Sequence, residues 1–428
     1  MARFRRISRS TYVVAGFGLL GLLLALVVIA QLRKSEDPDP AVAIENPGGV
    51  ASAADTTRVA TGLQNPRGVA VLPDGRLVVV EAGNGIETSD RALETGRVSV
   101  FEDMNDDGDY DDPGEIEPII SQIPSYNTLT QFGTGHDEVG GVGDIVWLDD
   151  GRLLLTRDDP SQGYVADGSP AGINVVELDI ESGLGSNLLV RTATMNALAW
   201  DRDAEILYVV ESGANRLIAV TMDGEIRIVA EFSELERGQQ AVPAGVAIDP
   251  TTGDVLVALF TGQGDHFGSV LSFWPGDAKV VRVDPATGRQ TDAITGLTTA
   301  VDVAADEAGN VFVVELTSIW PSARMPRDFD LFDPDAAPDP GGYARSSGSV
   351  TMYPADDGEP VVLANKLDQP TNITLSDDAL YISLGQGTPG RMVISPTGST
   401  SITGELHRIE LDEILKCFRD HCDADADE

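Results

Sequence analysis

The stretch Leu63–Gly83, LQNPRGVAVLPDGRLVVVEAG, decides the fold. It holds two short apolar runs, Gly68–Leu72 and Arg76–Glu81, joined by a Pro-Asp-Gly sequence that favours a tight turn. The stretch therefore predicts a β-hairpin. Because a recurring unit must stack on its neighbours to bury its apolar faces, a repeat of this hairpin would set the whole architecture. The pattern does recur along the chain, starting at Val142, Met195, Pro243, Thr298 and Gln369.

The hairpins are followed by further strand-like runs, so that each unit supplies four strands. The last unit is the exception, because it has a third strand at Gly404–Leu411 but no fourth. Its missing partner lies at the other end of the repeat region, where Thr56–Pro66 resembles the fourth strands of other units. Pairing Thr57–Gly62 with the last unit would remove two exposed sheet edges. We therefore expect an all-β fold: a six-bladed β-propeller over residues 56–412, closed by its N-terminal strand.

The composition indicates a folded, acidic chain. Hydrophobic residues make up 42% of the sequence and there are 45 glycines, which is typical of a turn-rich globular protein. Acidic residues number 69 against 29 basic ones, for a formal net charge of −40, and the first 34 residues carry six of the bases and none of the acids. A surface this acidic repels phosphate backbones, so we expect no nucleic acid partner.

The N-terminal region predicts a membrane anchor. Four arginines in residues 1–10 precede Thr11–Leu32, an uncharged and mostly apolar run long enough to cross a bilayer as a helix. A cleavable signal peptide has a shorter core followed at once by a small-residue site, whereas Gln31–Lys34 follows here. We expect a cytoplasmic N-terminus, a transmembrane signal-anchor at residues 11–32, a linker at 33–55 and a propeller outside the cytoplasm. Cleavage followed by secretion is the alternative.

The acidic tail, residues 413–428, contains both cysteines. Cys417 and Cys422 lie close together in sequence, and outside the cytoplasm such a pair most simply forms a disulfide that closes a small loop. Together with His421 the two cysteines could instead bind a metal ion, or they could remain free thiols. The sequence leaves these alternatives open.

Two stretches carry resemblances to known families. GLQNPRGVAVLPDGRLVVVEAG, from Gly62, and QPTNITLSDDALYISLGQG, from Gln369, resemble the exported propellers of the ScyD/ScyE family, and the likeness extends from about Thr56 to Leu411. That resemblance implies an exported propeller. Members of the family occur beside pigment-biosynthesis enzymes and have no assigned reaction of their own. NALAWDRDAEILYVVESGANRLIAV, from Asn196, also resembles NHL-repeat and SMP-30/gluconolactonase-like propellers, over one blade.

Propeller geometry sorts residues by end. Within a blade, the start of the first strand and the end of the second lie at the same end, and the longest predicted insertions emerge there. These insertions include His136 and His266, two of the four histidines. They are Ala82–Thr95, Ile123–Gly141, Asp159–Ala171, Thr261–Ala278, Leu316–Gly348 and Gly385–Thr403.

Polar residues at the first-strand starts and second-strand ends form a candidate axial site. We expect it to bind a small polar ligand or a divalent cation, although each acid could equally be a local cap that accepts backbone amide hydrogen bonds. In this interpretation the two arginines balance part of the acidic charge, and His136 and His266 lie above. The candidate residues are Arg67, Glu81, Asp144, Arg157, Asn196, Glu211, Asp302, Glu315 and Asn372.

Two enzymatic alternatives use the same end of a propeller. The resemblance to SMP-30-like lactonases implies a divalent cation held by a Glu, an Asn and an Asp. Asn196 matches the family's Asn, but Pro243-Ala244-Gly245 stands where its Pro-Asp-Gly is expected, so the metal-binding Asp is missing. A quinone-dependent sugar dehydrogenase would place a His before Gly-Gly, which His136 matches with the wrong spacing. We therefore expect a binding or accessory protein, with no protein partner identified.

An acidic loop in the first unit predicts a calcium site. Asp103–Asp112 places oxygen-bearing side chains at alternate positions around a glycine, as in the first half of an EF-hand loop. The departure is at the twelfth position, which is Gly114, with Glu115 one residue late. Structural calcium and a merely solvated acidic turn are the two interpretations. The expected ligands are Asp103, Asn105, Asp107, Asp109, Asp111 and Glu115.

Overall fold

A computed structural model describes residues 56–85, 94–127, 137–148, 151–164, 170–179, 184–191, 195–236, 238–260, 276–317, 344–356, 358–395 and 398–411. The predicted signal-anchor, the linker and the tail with Cys417 and Cys422 lie outside these residues. Within them, no helix has the length and apolar character needed to cross a lipid bilayer. The described chain is an all-β β-propeller whose one short helix in those stretches is a 3₁₀ turn at Ser212–Ala214.

The strands of the first half alternate apolar positions with turns in the way the hairpin repeat predicts. In chain order they are β1 (Thr57–Leu63), β2 (Pro66–Val71), β3 (Leu77–Glu81), β4 (Gly96–Phe101), β5 (Ile116–Ile123), β6 (Tyr126–Asn127), β7 (Val139–Gly140), β8 (Val142–Trp147), β9 (Leu153–Tyr164), β10 (Pro170–Asp179), β11 (Leu184–Arg191), β12 (Met195–Asp201), β13 (Ile206–Glu211), β14 (Arg216–Thr221) and β15 (Ile226–Glu231).

The second half continues the same pattern. Its strands are β16 (Pro243–Ile248), β17 (Val255–Leu259), β18 (Ala278–Val283), β19 (Gln290–Leu297), β20 (Ala300–Ala305), β21 (Val311–Glu315), β22 (Gly348–Tyr353), β23 (Val361–Leu367), β24 (Asn372–Leu375), β25 (Ala379–Leu384), β26 (Met392–Ser395), β27 (Gly398–Ser401) and β28 (Gly404–Glu410).

These strands form six four-stranded antiparallel sheets and two small hairpins. Five sheets use consecutive strands, β2–β5, β8–β11, β12–β15, β16–β19 and β20–β23, and the sixth has the order β1-β28-β25-β24. The innermost strands contact one another in the cyclic order β2, β8, β12, β16, β20 and β24, and β24 returns to β2. The six sheets therefore surround a common axis.

Six hydrophobic clusters hold the ring together, one between each pair of neighbouring sheets. The cluster between the last and first sheets, for example, contains Val59, Leu63, Val79, Phe101 and Leu406, and equivalent clusters fill the other five junctions. Because the inner strands are apolar on both faces, they can bury both against neighbours. This explains why apolar and polar residues alternate only partially in the sequence.

The N-terminal strand completes the last sheet, as the sequence predicts. Strand β1 pairs antiparallel with β28, in a register that sets Thr57 opposite Arg408 and Leu63 opposite Gly404. The side chains of Thr56 and His407 add a hydrogen bond of 2.9 Å between Oγ1 and Nδ1. The two ends of the described region are therefore joined within one sheet.

Three predicted loop insertions are partly strand. The insertion expected at Asp159–Ala171 is wrong at both ends, because β9 continues to Tyr164 and β10 begins at Pro170. Strands β26 and β27 form a hairpin inside Gly385–Thr403, and the two-residue strands β6 and β7 pair inside Ile123–Gly141. Local backbone pairing extends these hairpins without the apolar alternation on which sequence prediction depends.

Candidate functional site

A repeated backbone irregularity lines the axis. In five of the six innermost strands, the pairing register shifts just after the first residues of the strand: at β2, β8, β12, β16 and β20. A register shift of this kind turns side chains out of the regular alternation, and bulges are common where a sheet must aim a residue at a site. Asp144 lies at the shift in β8 and Asp302 at the shift in β20.

Asp144 makes the same contacts as Asp302 three sheets away. The Asp144 carboxylate accepts hydrogen bonds from its own following amide, Ile145 N, at 2.9 Å, and from Leu198 N in the next sheet at 2.8 Å. The contacts repeat at Asp302, whose carboxylate accepts from Val303 N at 2.9 Å and from Ile373 N in the next sheet at 2.9 Å. Each aspartate therefore bonds to its own following amide, as a local cap would, and also joins its sheet to the next.

Glycine precedes each aspartate around the ring, because no larger residue fits. A Cβ atom on Gly68 would lie 2.4 Å from Asp144 Oδ1, and a Cβ atom on Gly245 would lie 2.4 Å from Asp302 Oδ1. Both distances are far below van der Waals contact. The Gly–Asp combination thus occurs twice, at positions related by half a turn of the ring.

Asn372 breaks this half-turn symmetry. It occupies the position that Ala197 holds three sheets away, and its side-chain nitrogen donates to Asp302 Oδ2 at 2.8 Å and to Asp144 Oδ1 at 3.5 Å. One amide therefore reaches both carboxylates. The structure brings these three predicted site residues together, and all three are buried.

The two aspartates hold their protons more tightly than free carboxyl groups. Burial raises the pKa of Asp144 to about 6, although the amides that it accepts favour the ionised form. Burial, together with the negative charge of Asp144, raises the pKa of Asp302 well above its usual value. Two buried carboxylates that interact disfavour each other's ionisation. Burial therefore acts on both carboxyl groups in the same direction, toward the protonated form.

A cavity of ≈ 380 Å³ lies against these three residues. Its walls come from the later residues of the inner strands, including Trp147 and Trp200, which directly precede the hairpin turns. The aspartates and Asn372 therefore form a polar floor, and the cavity extends from them toward the hairpin-turn end of the axis. The expectation from the sequence is a site at the opposite end, where the long insertions emerge.

The three predicted glutamates lie apart from this floor, at the ends of second strands. Glu81 is fully buried and accepts from Arg97 Nε at 2.5 Å and from Gln64 N at 2.6 Å. Glu211 is paired with Arg216 in the same way. Third-strand arginines thus supply a counter-charge to both glutamates.

Glu315 differs from the other two glutamates because its cross-strand neighbour is Ser349. No arginine occupies the position that Arg97 and Arg216 hold in the first and third sheets. Its carboxylate accepts from Thr298 N at 2.5 Å, and burial raises its pKa. Glu81 and Glu315 therefore fix the chain that enters their own sheet, which is the role of a cap.

The remaining predicted site residues are scattered. Arg67 donates to Val139 O at 2.7 Å and to Gln386 Oε1 at 3.2 Å, so it bridges two insertions. Arg157 lies in β9 opposite Val142. Asn196 is exposed, and its backbone carbonyl accepts from Thr156 Oγ1 at 3.3 Å. His136 and His266 lie outside the described residues.

A buried polar network that the sequence does not reveal joins the insertions of the first and last sheets. Asp137 accepts from Arg391 Nε at 2.7 Å, from Asn127 Nδ2 at 2.7 Å and from Thr388 Oγ1 at 2.8 Å. Desolvation acts to raise the pKa of Asp137, but Arg391 and these donors together lower it. The partners lie up to 254 positions apart in sequence, so no local motif marks them.

The acidic loop Asp103–Glu115 is closed by its own backbone. Gly108 N donates to Asp103 Oδ2 at 2.9 Å, which lowers the pKa of Asp103. The buried Glu115 accepts from Met104 N at 3.1 Å and from Asp112 N at 3.1 Å. In the described part of the chain, no group of three or more His, Cys, Asp or Glu side chains is arranged to hold a metal ion. Calcium binding at this loop stays a prediction.

The described chain is thus a β-propeller with a cavity on its axis, and the cavity has a polar floor. The family model described as SMP-30/Gluconolactonase/LRE-like region matches residues 50–305, which is more than half of the chain. The chain belongs to this family. No curated protein matches the sequence. The ScyD/ScyE resemblance stays a prediction.

The solved structures to which this chain is similar are distant in sequence. A putative glucose dehydrogenase from Thermus thermophilus is 15% identical, with 83% of this chain and 100% of that chain covered and a TM-score of 0.47. A putative gluconolactonase is 11% identical, with 84% and 93% covered and a TM-score of 0.46. Virginiamycin B lyase from Staphylococcus aureus is 10% identical, with 82% and 98% covered and a TM-score of 0.41.

The residues in this chain do not fit the divalent cation that the family implies. Ala244 is buried and offers a methyl group where the lactonase motif has a carboxylate. Adding a side chain at the next residue, Gly245, would collide with Asp302. The first-sheet Glu81 is already paired with Arg97, and Asn196 is exposed. At these described positions, too few oxygen donors converge for a three-ligand metal site.

Proposed function

We propose that this protein is an exported propeller that binds a small polar ligand in its axial cavity without turning it over. The observation that carries the proposal is the cavity against Asp144, Asp302 and Asn372. Its volume suits a ring-sized molecule, and its few polar groups converge at one end, as in other small-molecule sites. A rigid ring of sheets holds these groups in place before the ligand arrives.

The proposal includes the architecture that positions the cavity. The six four-stranded sheets are the six blades of one propeller, and β1 closes the ring between the last blade and the first. The pairing of β1 with β28 supports this, as does the hydrophobic cluster shared by the last and first sheets. Closure matters for function because the floor takes residues from sheets on opposite sides of the ring.

The proposal also places the propeller outside the cytoplasm, tethered by residues 11–32. The apolar run and the four preceding arginines support it. Protease added to intact cells should degrade the propeller and leave a short N-terminal fragment in the membrane. Release of the whole propeller into the medium would instead favour the cleaved, secreted alternative.

Binding is favoured over catalysis because the described site lacks paired reactive groups. Both axial carboxylates accept backbone hydrogen bonds, and the donor set does not fit a lactonase metal. A lactonase assay with added divalent metals tests this on the full-length protein. Turnover that Asn196→Ala removes would overturn the binding proposal in favour of the hydrolase. A quinone-dependent oxidation of sugars would overturn it in favour of the dehydrogenase.

Ligand binding itself can be tested by thermal shift with a library of small polar compounds. A ligand that binds only the folded state raises the melting temperature by mass action. We expect at least one compound to stabilise the full-length protein, and Asp144→Asn/Asp302→Asn to abolish that shift. Asp292→Asn is the matched control, because Asp292 pairs with Lys279 on an outer strand. Stabilisation that survives the double substitution would place the site elsewhere.

We further propose that the Asp103–Glu115 loop binds calcium with a structural role. The alternation of oxygen-bearing side chains around Gly108 supports this, and so does the clustering of carboxylates that repel one another when no cation is present. The loop belongs to the first sheet and lies between β4 and β5, away from the axial cavity.

A further inference from the structure

The charged groups around the axial cavity are few and unevenly placed. Of its lining residues, Asp144 and Asp302 are buried at the floor, and Arg202 is exposed one residue beyond the end of β12. The other lining residues are uncharged, and Asn372 contributes a neutral amide. The deep part of the cavity therefore has two acids and no fixed cation among its described lining residues.

Two buried acids at one floor require compensation. The Asn372 amide donates to both carboxylates, but a neutral donor does not cancel a full charge. A proton or a cation beside the pair would relieve the cost of burying its charge. A ligand that brings its own positive charge can take the place of a proton, whereas an anionic ligand would add further negative charge.

The walls favour an organic cation over a bare ion. Trp147 and Trp200 line the cavity and both are half-buried, so their indole rings can contact a ligand and still be reached from outside. Aromatic faces attract cations, most strongly when the cation is shielded from water. The formal net charge of −40 raises the local concentration of cations around the protein as a whole.

We propose that the axial cavity takes a small organic ammonium compound, whose charged nitrogen sits against Asp144 and Asp302 and whose ring or chain contacts the two tryptophans. This inference rests on the proposed binding function and names its ligand class. The ammonium enters already protonated, and any proton that the two carboxyl groups hold in the free protein leaves to solvent. Binding therefore releases up to one proton, and no bond in the ligand is made or broken.

The test compares matched probes on the full-length protein in detergent by titration calorimetry. Glucosamine carries the ammonium, N-acetylglucosamine is its neutral counterpart, and glucuronate is the anionic one. We expect glucosamine to bind at least about ten-fold more tightly than N-acetylglucosamine, a difference of about 1.4 kcal/mol. Repeating the titration in two buffers with different heats of ionisation should reveal the released proton.

Variants then locate the charge. Asp302→Asn should weaken glucosamine binding and reduce the proton release, while Asp292→Asn on the outer strand should change neither. Circular dichroism is recorded for each variant, because Asp302→Asn could unfold the ring. The comparison of the three probes on the wild type tests the ammonium preference independently of any variant. Equal binding of the three probes, or tightest binding of glucuronate, would overturn the ammonium assignment and leave the binding function standing. No binding by any probe, together with no hit in the thermal-shift library, would overturn both.

Discussion

At the scale of single residues, the axis is organised by two Gly–Asp combinations. Gly68 and Gly245 leave room for the carboxylates of Asp144 and Asp302, and each carboxylate then bonds to an amide of the following sheet. The half-turn relation between them means that one structural solution is used twice. Only Asn372, which replaces the alanine of the other half, makes the floor asymmetric.

Gly245→Ala should destabilise the protein by about 3 kcal/mol, because the new methyl group would overlap Asp302 in a packed interior. Gly276→Ala is the control, since that glycine has a positive φ of 87° and nothing within 4 Å. This control variant should lose only about 1 kcal/mol of its free energy of unfolding, from backbone strain alone. Urea unfolding measures both. Equal losses would mean that close approach at the axis is not what requires glycine.

The axial aspartates should make stability depend on pH with an unusual sign. Their pKa values are raised in the folded state, to about 6 for Asp144. Between about pH 4 and pH 6, the folded protein therefore binds more protons than the unfolded chain, so this contribution to the free energy of unfolding falls as pH rises. A pKa that is raised by about two corresponds to roughly 3 kcal/mol of the free energy of unfolding.

Asp302→Asn isolates this effect from the other carboxylates, some of which act in the opposite direction. Asp249, for example, has its pKa lowered to about 2 by its hydrogen bonds and by Arg282, and it stabilises the fold above that range. Melting temperatures from pH 4 to pH 8 should fall less in Asp302→Asn than in the wild type, on the order of a few degrees. Parallel curves would show that the pair does not titrate on folding.

At the scale of elements, the acidic loop is attached to the strand that closes the ring. Tyr110 N donates to Val59 O in β1 at 2.7 Å, and Thr61 N in β1 donates to Asp111 Oδ1 at 2.9 Å. The Tyr110 ring packs edge-on against Phe101, with centroids 5.5 Å apart, within the cluster between the last and first sheets. A loop of the first sheet therefore helps to hold β1 in its place in the last sheet.

Tyr110→Ala should lower the free energy of unfolding by about 3 kcal/mol, because a buried ring is lost. It should also expose β1 to hydrogen exchange and proteolysis before the other strands. Tyr110→Phe keeps the ring and removes only the hydroxyl that bonds to Tyr381, so it should cost about 1 kcal/mol. Hydrogen exchange on residues 57–63 distinguishes the two. Uniform loss of protection over all strands in Tyr110→Ala would show that the loop does not act on β1 in particular.

Removing residues 1–62 should lower the melting temperature far more than removing residues 1–55. The first truncation deletes most of β1 and leaves β28 and β2 without the contacts that β1 makes to both, whereas the second leaves every described strand in place. Each open edge also invites association between molecules. Equal melting temperatures for the two truncations would mean that β1 does not close the ring.

Calcium should stabilise the same region if the acidic loop binds it. Added Ca²⁺ is expected to raise the melting temperature of the wild type, and Asp107→Ala should remove the effect. Asp203→Ala, an exposed acid in the turn after β12, is the matched control. A melting curve that does not respond to Ca²⁺ would reduce the loop to an acidic surface turn.

At the scale of the whole molecule, the sequence reveals the fold better than the site. The Pro-Asp-Gly hairpin and its recurrences identify the sheets because each is a local signal, and the pairing of β1 with β28 follows from the unit that lacks a strand. The extension of β9 to Tyr164 cannot be predicted in this way, because no turn signal marks it. Sequence spacing also locates the axial acids, since strand starts converge on the axis.

What the sequence could not supply is the cavity among the described residues and the partners of the buried glutamates. Asp144 and Asp302 occur at the strand starts, and the described cavity extends from them toward the hairpin-turn end, which no local pattern indicates. Arginines from third strands pair with Glu81 and Glu211, and no sequence pattern at the axis indicates them. Contacts such as Asp137–Arg391 join distant segments, and no spacing rule predicts them.

Because the first and last strands pair with each other, the ring can close only when synthesis of the chain is almost complete. Thr56 and His407 touch in the finished protein, yet 351 positions separate them along the chain. At a typical elongation rate, β1 waits roughly 20 to 70 seconds for its partner to leave the ribosome. During that interval five complete sheets can assemble while the ring stays open and two strand edges remain unpaired. The final step of folding therefore depends on the last strand to be made, and a chain interrupted before Gly404 would have nothing with which to close.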